Sequence, residues 1–591
     1  MRRCLAAVLL LTVASGQAAE PASGRADRVY LNGVVFTADA ANSRATALAI
    51  RDGRILYVGS DAALARYIGP ATVKVDLEGR FLMPGLVDGH MHPLEAGATL
   101  LKCNLNYASL TVVELQQRVQ ACVEQTRTAE PDGWLEVVSW FQESMLPAGV
   151  KTSRATLDAL DTKRPILVRS SFGHTVLANS RALLLAKITA ATPDPIGGKI
   201  WRDASGEPTG LLEDAAHDAL DALLPKPTAA QEVEAAAKAL DAMKRQGVTS
   251  FLDASAARED VAAFATLRKT GRLTARAHFA PFIEPAEVDN LTAAVARVVA
   301  MREEYDEGPI ARAPGITVRN AKVFLDGVIA APALTGAMLE PYRRNAGTPD
   351  QPQWVAGTSR GPDVYFPADA LATVLTALGR AGIDPHMHAD GDGAVRAGLD
   401  GVAALRKALP AADIRPAIAH DEIVAPSDFK RFQALAVIPV LSFQWEKPAG
   451  DTLGVKDYFG PERMKILEPA GFLVEAGARI AFGSDWPVDA LDQWFAFKVG
   501  VTRTNSPAAP AEYRGRLGDD PGLSRETVLR AATINAAYEL HQDDSTGSLE
   551  AGKLADLIVL DRNPLTVPAE EIASVKVLET VVGGAVVYTV L

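Results

Sequence analysis

The sequence predicts an α/β protein with a (β/α)8 barrel of the TIM-barrel type and a small β-sandwich domain built from both chain ends. Eight short apolar strands alternate with amphipathic helical stretches between residues 84 and 544, which is the pattern of such a barrel. Residues 26–83 and 545–591 carry short alternating segments separated by Gly and Asp, which predict hairpins. A chain of 591 residues is also too long for one compact core, so several domains are expected.

The composition is that of a globular protein with an acidic balance. Hydrophobic residues make up 48% of the chain, charged residues make up 22%, and the formal net charge is −12. Because no Lys/Arg-rich block is present, nucleic acid and anionic membrane surfaces are excluded as partners. A small-molecule substrate is the expected partner, and a homo-oligomer remains open.

The N-terminus predicts a secretory signal peptide over residues 1–18. It has a basic start, a short apolar stretch, and small residues at Gly16 and Ala18. The alternative is a membrane anchor, but the apolar stretch is short for a span. The Arg2-Arg3 pair is a weak sign of twin-arginine export. No later segment is apolar enough to span a membrane, so the mature protein is predicted to be soluble and periplasmic or secreted.

Two cysteines would remain after removal of this segment. Cys103 and Cys122 lie in one helical-looking region, and an exported protein folds in an oxidising compartment. A disulfide between a loop and a helix and a pair of buried free thiols are both consistent with the sequence.

The predicted barrel strands run through residues 84–544 in chain order. They are 86–92, 248–254, 275–280, 321–327, 384–390, 417–422, 437–444 and 479–486. An insertion at about 94–245 follows the first strand and holds extra strands of its own. Since it leaves the barrel at the carboxyl end of a strand, it is expected to cover the barrel mouth.

Several of the nine histidines sit at the carboxyl ends of these strands, where barrel enzymes keep their active sites. His90 and His92 are two residues apart, so both face the same side of the first strand. His388, His420 and Asp485 end the fifth, sixth and eighth strands. Imidazoles together with a carboxylate predict a metal site of the zinc type. A single such histidine is more often structural, but chance does not explain a set at successive strand ends.

Several motifs carry a family resemblance. G-L-V-D-G-H-M-H-P at 85–93 resembles the first-strand signature of the amidohydrolase superfamily, and S-T-G-S-L-E-A-G-K-L-A-D-L-I-V-L-D at 545–561 resembles its closing segment. Four further motifs resemble those of the branch that contains N-substituted formamide deformylase and YtcJ-like proteins. They are G-H-T-V-L-A-N-S-R-A-L (173–183), L-E-P-Y (339–342), H-A-D-G-D-G-A (388–394) and F-G-S-D-W-P-V (482–488). The match extends from about residue 28 to residue 591.

The resemblance implies a role for Lys322, which begins the apolar segment A-K-V-F-L-D-G. A lysine is almost never fully buried without a partner. In binuclear superfamily members a lysine at this place is carboxylated by CO2 and bridges two divalent metal ions. The resemblance therefore implies carboxylation of Lys322, and the alternative is a lysine that snorkels at the strand edge. It also implies two ions, expected to be zinc: one held by His90, His92 and Asp485, the other by His388 and His420.

The resemblance further implies hydrolysis of an amide-type C–N bond in a small molecule by a metal-activated hydroxide. Asp485 would accept the proton of the water and deliver it to the leaving amine. His174, Trp445 and Trp486 are predicted to contact the substrate. A structural loop histidine and core tryptophans are the competing interpretations.

Three positions depart from the branch pattern: Ala419 stands where relatives often have Glu, Asp390 where an apolar residue is usual, and His386 is an extra histidine. His386 faces the same side as His388 and is expected to act as a ligand or as a support for one. A mononuclear deaminase is one rival, although it leaves Lys322 without a role. A catalytically silent scaffold is another, although such a protein would be expected to lack ligands. Two, one or no metal ions per chain would separate these alternatives.

Overall fold

The computed structural model of the protein describes residues 24–591, except residues 129, 143, 144, 148, 172, 174, 196, 197, 332, 349 and 350. The predicted signal peptide and His174 lie outside the described residues. None of the helices within the described part of the chain is both long and apolar enough to cross a membrane.

The strands are, in chain order, β1 (Arg28–Leu31), β2 (Val34–Phe36), β3 (Arg44–Ala45), β4 (Ala47–Arg51), β5 (Arg54–Gly59), β6 (Val73–Asp76), β7 (Phe81–Pro84), β8 (Leu86–Met91), β9 (Cys103–Asn104), β10 (Leu135–Trp140), β11 (Ile166–Ser170), β12 (Thr175–Ala178), β13 (Gly198–Arg202), β14 (Pro208–Asp214), β15 (Val248–Ala256), β16 (Arg276–Ile283), β17 (Ile316–Thr317), β18 (Asn320–Phe324), β19 (Arg343–Asn345), β20 (Trp354–Ala356), β21 (Asp384–Ala389), β22 (Ala417–His420), β23 (Ile438–Leu441), β24 (Ala481–Phe482), β25 (Leu557–Leu560), β26 (Val577–Val582) and β27 (Ala585–Thr589).

The α-helices are α1 (Asp61–Leu64), α2 (Pro93–Thr99), α3 (Val112–Thr126), α4 (Arg154–Asp158), α5 (Ser180–Leu185), α6 (Asp218–Asp221), α7 (Ala229–Gln246), α8 (Arg258–Lys269), α9 (Leu291–Tyr305), α10 (Ala368–Arg380), α11 (Asp392–Ala408), α12 (Phe429–Leu435), α13 (Gly450–Gly454), α14 (Lys456–Phe459), α15 (Pro461–Met464), α16 (Ala470–Glu475), α17 (Gln493–Thr502), α18 (Arg525–Arg530) and α19 (Ala536–Glu539).

The two ends of the chain form two sheets that share a core. One sheet has the order β5-β4-β1-β6, and the other has the order β27-β26-β25-β7-β2-β3. Leu48 and Ile50 of the first sheet pack against Leu82, Leu557 and other apolar residues of the second. The alternation of apolar and polar residues in these short strands places one face of each sheet in this core.

The barrel sheet is parallel, with the order β24-β23-β22-β21-β18-β16-β15-β8. Helices precede most of its strands, and α7 illustrates how the sequence specifies them. Thr228 caps α7 through a capping box with Gln231, and Gly247 ends it at a φ of 86°. Backbone in that left-handed region suits glycine, so the chain turns directly into β15.

Backbone hydrogen bonds beyond β24 close the barrel between its eighth and first strands. The amide of Asp485 donates to the carbonyl of His90, and the amide of His92 donates to the carbonyl of Trp486, both at 2.8 Å. The carboxyl ends of all eight strands therefore share one rim, as the sequence predicted.

The floor of the barrel is filled by the segment around α19. Ala536, Ala537 and Leu540 pack against inward-facing residues such as Val87 and Ala419. At the same end, the guanidinium of Arg276 on β16 pairs with the carboxylate of Asp556, with Nε 2.7 Å from Oδ2 and both side chains buried. The C-terminal sheet is thus joined to the barrel through a buried ion pair that satisfies both charges.

The insertion after β8 forms a sheet of its own with the order β13-β14-β12-β11-β10-β9. Its core packs Val119 and Val123 of α3 against Val137 and Trp140 of β10. A disulfide joins Cys103 on β9 to Cys122 on α3, with the Cα atoms 5.8 Å apart. The disulfide alternative is therefore confirmed over the free thiols, and the bond ties the edge of the sheet to its covering helix.

Replacement of both cysteines by serine should destabilise the insertion by about 2–4 kcal/mol, because the bond closes a loop in the unfolded chain. Thermal unfolding of the oxidised protein and of the Cys103→Ser/Cys122→Ser variant measures the loss. Peptide mapping without reductant should yield the two cysteines as one linked pair. Alkylation of both thiols in native protein would rule the bond out.

Candidate metal centre

Three strand ends bring polar side chains together at the rim of the barrel. Nε2 of His92 lies 3.1 Å from Oδ1 of Asp485, and Nε2 of His90 lies 3.5 Å from the same oxygen. Nζ of Lys322 lies 3.4 Å from Nε2 of His90. Lys322 pairs in register with His386, one level below His388, so its long side chain reaches up from the barrel interior to this group.

A second group adjoins the first. Nε2 of His388 lies 3.6 Å from Oδ1 of Asp390, and the rings of His388 and His420 are 4.5 Å apart. Nδ1 of His420 lies 3.9 Å from Oδ2 of Asp485. Ligand atoms lie within 4.8 Å of one another in His90, His420 and Asp485, and equally in His388, Asp390 and His420. His420 thus belongs to both groups.

The donor set fits a divalent metal ion. Oδ1 of Asp485 and Oδ1 of Asp390 are buried and accept no hydrogen bond from the residues that the structure describes. Such oxygens are costly to bury unless a cation or a donor satisfies them. Imidazole nitrogens with carboxylate oxygens are the ligands that zinc and similar ions prefer.

The electrostatics of the group favour metal-binding protonation states. Burial, followed by the charge of Lys322, lowers the pKa of His90 well below its ordinary value, and burial followed by His388 does the same for His420. Both rings are therefore neutral, which is the ligating form. Burial also lowers the pKa of His92, but the carboxylate of Asp485, 3.1 Å from its Nε2, outweighs burial and raises that pKa. Burial lowers the pKa of Lys322 to about 8.

The backbone is strained where it presents these side chains. His420 has a φ of 81° and Asp485 a φ of 52°, in the left-handed region that residues other than glycine seldom adopt. Asp88 holds the turn at Asp485 in place, since its carboxylate accepts from the amide of Ser484 and from Nε2 of Gln493, both at 2.9 Å. Strain at such positions is typical of functional sites.

His386 lies below the rim and supports His90. Its Nε2 is 2.8 Å from Nδ1 of His90, and its Nδ1 is 3.2 Å from Oε1 of Glu539 at the end of α19. All three side chains are buried. A partner on Nδ1 orients the His90 ring so that Nε2 faces Asp485, which is how histidine ligands are usually held. Of the two roles predicted for His386, the geometry favours support over ligation.

Glu539 was not predicted as a site residue. It lies far along the chain in a helical stretch, and only the packing of α19 into the barrel floor brings it to His386. Its place depends on Gly89, because a Cβ on residue 89 would lie 2.2 Å from Oε2 of Glu539. A glycine between Asp88 and His90 is the one local signal in the sequence that something approaches the strand there.

A cavity of about 250 Å³ lies over the two groups and is lined by both of them. Trp445 lines it, with its ring nearly parallel to that of His420 at 5.7 Å. Ser170, Thr175 and Glu213 of the insertion line it as well. Trp486 instead packs in the hydrophobic core and is not among the described lining residues, which favours the packing interpretation for it.

Comparisons with known proteins agree with this architecture. A family model described as amidohydrolase family matches residues 74–588. Protein LONG AFTER FAR-RED 3 of Arabidopsis thaliana is 29% identical, over 96% of this chain and 92% of its own length. N-substituted formamide deformylase of Arthrobacter pascens is 26% identical, over 95% of this chain and 98% of its own length. The motif resemblance is thereby confirmed.

A solved structure shares the fold. The crystal structure of an uncharacterised metal-dependent hydrolase from Pyrococcus horikoshii superposes with a TM-score of 0.68 and 22% identity. The superposition covers 92% of this chain and 99% of the other. The predicted barrel with an additional β domain is confirmed.

Gly89→Ala should destabilise the protein by about 1–3 kcal/mol, because the added methyl group meets the carboxylate of Glu539. The same substitution in a Glu539→Ala background should reduce stability clearly less, since the Glu539 carboxylate no longer occupies that space. Melting temperatures of the four proteins of this cycle measure the difference. Equal losses in both backgrounds would show that Glu539 does not occupy the space beside Gly89.

Proposed function

We propose that this chain, which belongs to the amidohydrolase family, is a metal-dependent hydrolase that cleaves an amide-type C–N bond of a small molecule. The observation that carries the proposal is the convergence of four imidazoles, Lys322 and Asp485 on one barrel rim, around carboxylate oxygens that lack hydrogen bonds. Assay of the metal-loaded protein against a panel of N-formyl and N-acyl amines, with elemental analysis of bound metal, tests it. Absence of bound metal in active protein would refute it.

The residues of the two groups would hold two divalent ions. His90, His92 and Asp485 would hold the first, and His388 would hold the second. His420 would complete the site of the second ion. It also adjoins the site of the first ion, since its nitrogen lies within 4.8 Å of ligand atoms in both groups. Such ions supply Lewis acidity that polarises a carbonyl group and lowers the pKa of water toward neutrality. Zinc fits the nitrogen and oxygen donors.

Lys322 would carry the carboxyl group that links the two sets of metal-binding residues. Only its neutral amine reacts with CO2, and burial brings its pKa down to about 8, so a sizeable neutral fraction exists near neutral pH. Its nitrogen lies 3.4 Å from His90 and 4.5 Å from the centre of the Phe324 ring. A carbamate would replace a buried cation by an anion next to cations, which removes a repulsion.

Asp485 would move the proton. Its carboxylate lines the cavity, with Oδ1 beside His90 and His92 and Oδ2 3.9 Å from Nδ1 of His420, so an oxygen that is not bound to the first ion would accept a proton from the attacking water. The same oxygen would then deliver that proton to the nitrogen of the leaving amine. His92 and His90 hold the carboxylate in position throughout.

The choice of an amide-type bond rests on the relatives and on the cavity. The Arthrobacter pascens relative acts, by its name, on N-substituted formamides. The cavity of about 250 Å³ suits a small molecule, and it is walled by Trp445, Val328, Ile329 and other apolar side chains. Export of the protein is part of the proposal, and the Cys103–Cys122 disulfide supports an oxidising compartment.

Lys322→Ala should lose at least one metal ion, because the bridging anion that offsets repulsion between two dications is gone. Acetate or propionate should restore part of the activity and of the metal content, since either can occupy the place of the missing carboxyl group. His90→Ala is the matched control and should gain nothing from acetate. Elemental analysis and turnover with and without the acid measure both effects.

Retention of two ions and full turnover by the Lys322→Ala protein would contradict the bridging role. Retention of a single ion with full turnover by wild-type protein would favour the mononuclear alternative.

Asp485→Asn should lower kcat by about a hundredfold or more, because an amide cannot shuttle the proton. The second group should still bind metal, since His388, Asp390 and His420 are unchanged. Steady-state kinetics and metal analysis of the same preparation check this. A nearly normal kcat would mean that another group, with Asp390 the nearest candidate, carries the proton.

A further inference from the structure

Of the carboxyl groups that line the cavity, Glu213 of the insertion and three groups of the barrel domain have no part in the proposed hydrolysis. Glu422 follows β22, Asp451 lies in α13, and Glu468 precedes α16; all three line the cavity. The amide of Glu468 donates to the carbonyl of Glu422 at 2.7 Å, so these two are fixed side by side. We call Glu422, Asp451 and Glu468 the acidic wall.

No cationic side chain in the described part of the protein forms an ion pair with the acidic wall. The nearest guanidinium, that of Arg503, is fully engaged elsewhere: Nη1 donates to Glu446 at 3.1 Å, Nη2 to the carbonyl of Leu467 at 2.8 Å, and Nε to the carbonyl of Leu517 at 3.0 Å. Nη1 also reaches Glu468, but only at its backbone carbonyl, at 2.7 Å. Arg503 therefore pairs directly with Glu446, and its charge offsets only part of the effect of burial at the Glu468 side chain, with which it forms no ion pair.

The ammonium group of Lys447 makes its direct contacts elsewhere, and its charge offsets only part of the effect of burial, which raises the pKa of Asp451. Nζ of Lys447 donates to the carbonyl of Gln444 and lies 4.0 Å from the carboxylate of Asp489. No described lysine, arginine or histidine nitrogen pairs with Glu422, Asp451 or Glu468 within 4.0 Å. Six carboxyl groups and a single lysine, Lys322, line the described part of the cavity.

Glu468 is the member that most requires a ligand. It is only 6% exposed, it lines the cavity, and its carboxylate forms no hydrogen bond with a described residue. Its backbone is held at a φ of 55° by the bonds to Glu422 and Arg503. A buried carboxylate without a partner is unfavourable, so its place is explained if a ligand supplies the missing positive charge.

The charge state of the wall responds to this lack of partners. Burial, followed by the charge of Glu422, raises the pKa of Glu468 well above its usual range. A cation bound among these groups would favour their ionised forms and relieve the mutual repulsion.

Another part of the cavity wall is apolar and includes Val328, Ile329, Val455 and Trp445. An alkyl chain fits such walls, and a positive charge at its end fits the acidic wall. We infer that the acidic wall binds an alkylammonium or guanidinium group of the substrate, so that the preferred substrates are amides with a cationic side chain. The inference rests on the proposed function for the reaction, and adds to it the class of substrate.

Two amides of equal shape test the inference. N-formylcadaverine carries a terminal ammonium group, and N-hexylformamide carries a methyl group at the same place. Wild-type enzyme should show a kcat/KM at least about tenfold higher for the cationic amide, since a desolvated charge pair contributes at least that much. Glu468→Gln, which keeps the shape of the side chain, should reduce that preference by about tenfold or more, and Asp451→Asn should reduce it too.

The matched control is Glu475→Gln. Glu475 lies on the exposed side of α16, seven positions from Glu468, and does not line the cavity. The preference for the cationic amide should be unchanged in this variant. Glu468→Asp, which retains the charge, should keep part of the preference that Glu468→Gln loses.

The outcomes separate this inference from the proposed function. Equal kcat/KM for the two amides, or an equal loss for both in Glu468→Gln, overturns the inference and leaves the hydrolase proposal standing.

If neither amide is hydrolysed, the affinity of each amide is measured instead, by calorimetric titration into wild-type and Glu468→Gln protein. Tighter binding of N-formylcadaverine that depends on Glu468 supports the acidic wall while the proposed reaction fails, and equal binding or none overturns the inference. Loss of a metal ion in Glu468→Gln would assign the wall to a metal and overturn it as well.

Discussion

The closure of the barrel between its last and first strands is the constraint on which the site depends. The hydrogen bonds from Asp485 to His90 and from His92 to Trp486 join two segments that are about 400 residues apart in the chain. The same two bonds set the side chains of His90, His92 and Asp485 around one point. Fold and candidate metal centre are therefore not separable, since the interaction that closes the sheet also assembles the first group of ligands.

Buried charge is the second principle that organises the molecule. At the barrel floor, burial of Arg276 is offset by Asp556, and near the acidic wall the charge of Arg503 is offset by Glu446. The rim differs, because Asp485, Asp390 and Glu468 are buried and no described lysine or arginine forms an ion pair with them. These two pairs compensate their buried charges within the protein. The carboxylates at the rim instead face the space where metal ions and substrate are proposed to bind.

Much of this could be predicted from the sequence, because the signals are local. Period-two apolar segments ending in His or Asp predict strands and place His90, His92, His388, His420 and Asp485 at their carboxyl ends. Parallel strands of one barrel share a rim, so the convergence of these residues follows from the strand pattern alone. Lys322 was found for the same reason, since a lysine within an apolar strand requires an explanation.

Contacts between distant segments could be decided only by the tertiary structure. Glu539 reaches His386 because α19 fills the barrel floor, and no spacing in the chain predicts that packing. Glu422, Asp451 and Glu468 come from three separate segments, and the direction of the Arg503 guanidinium determines that they remain unpaired. Two cysteines in one region left the disulfide undecided until the packing of α3 on β9 brought them together. The residues at the strand ends therefore follow from local sequence patterns. The three-dimensional packing decided which charges are compensated, because compensation depends on distances and directions that local patterns do not contain.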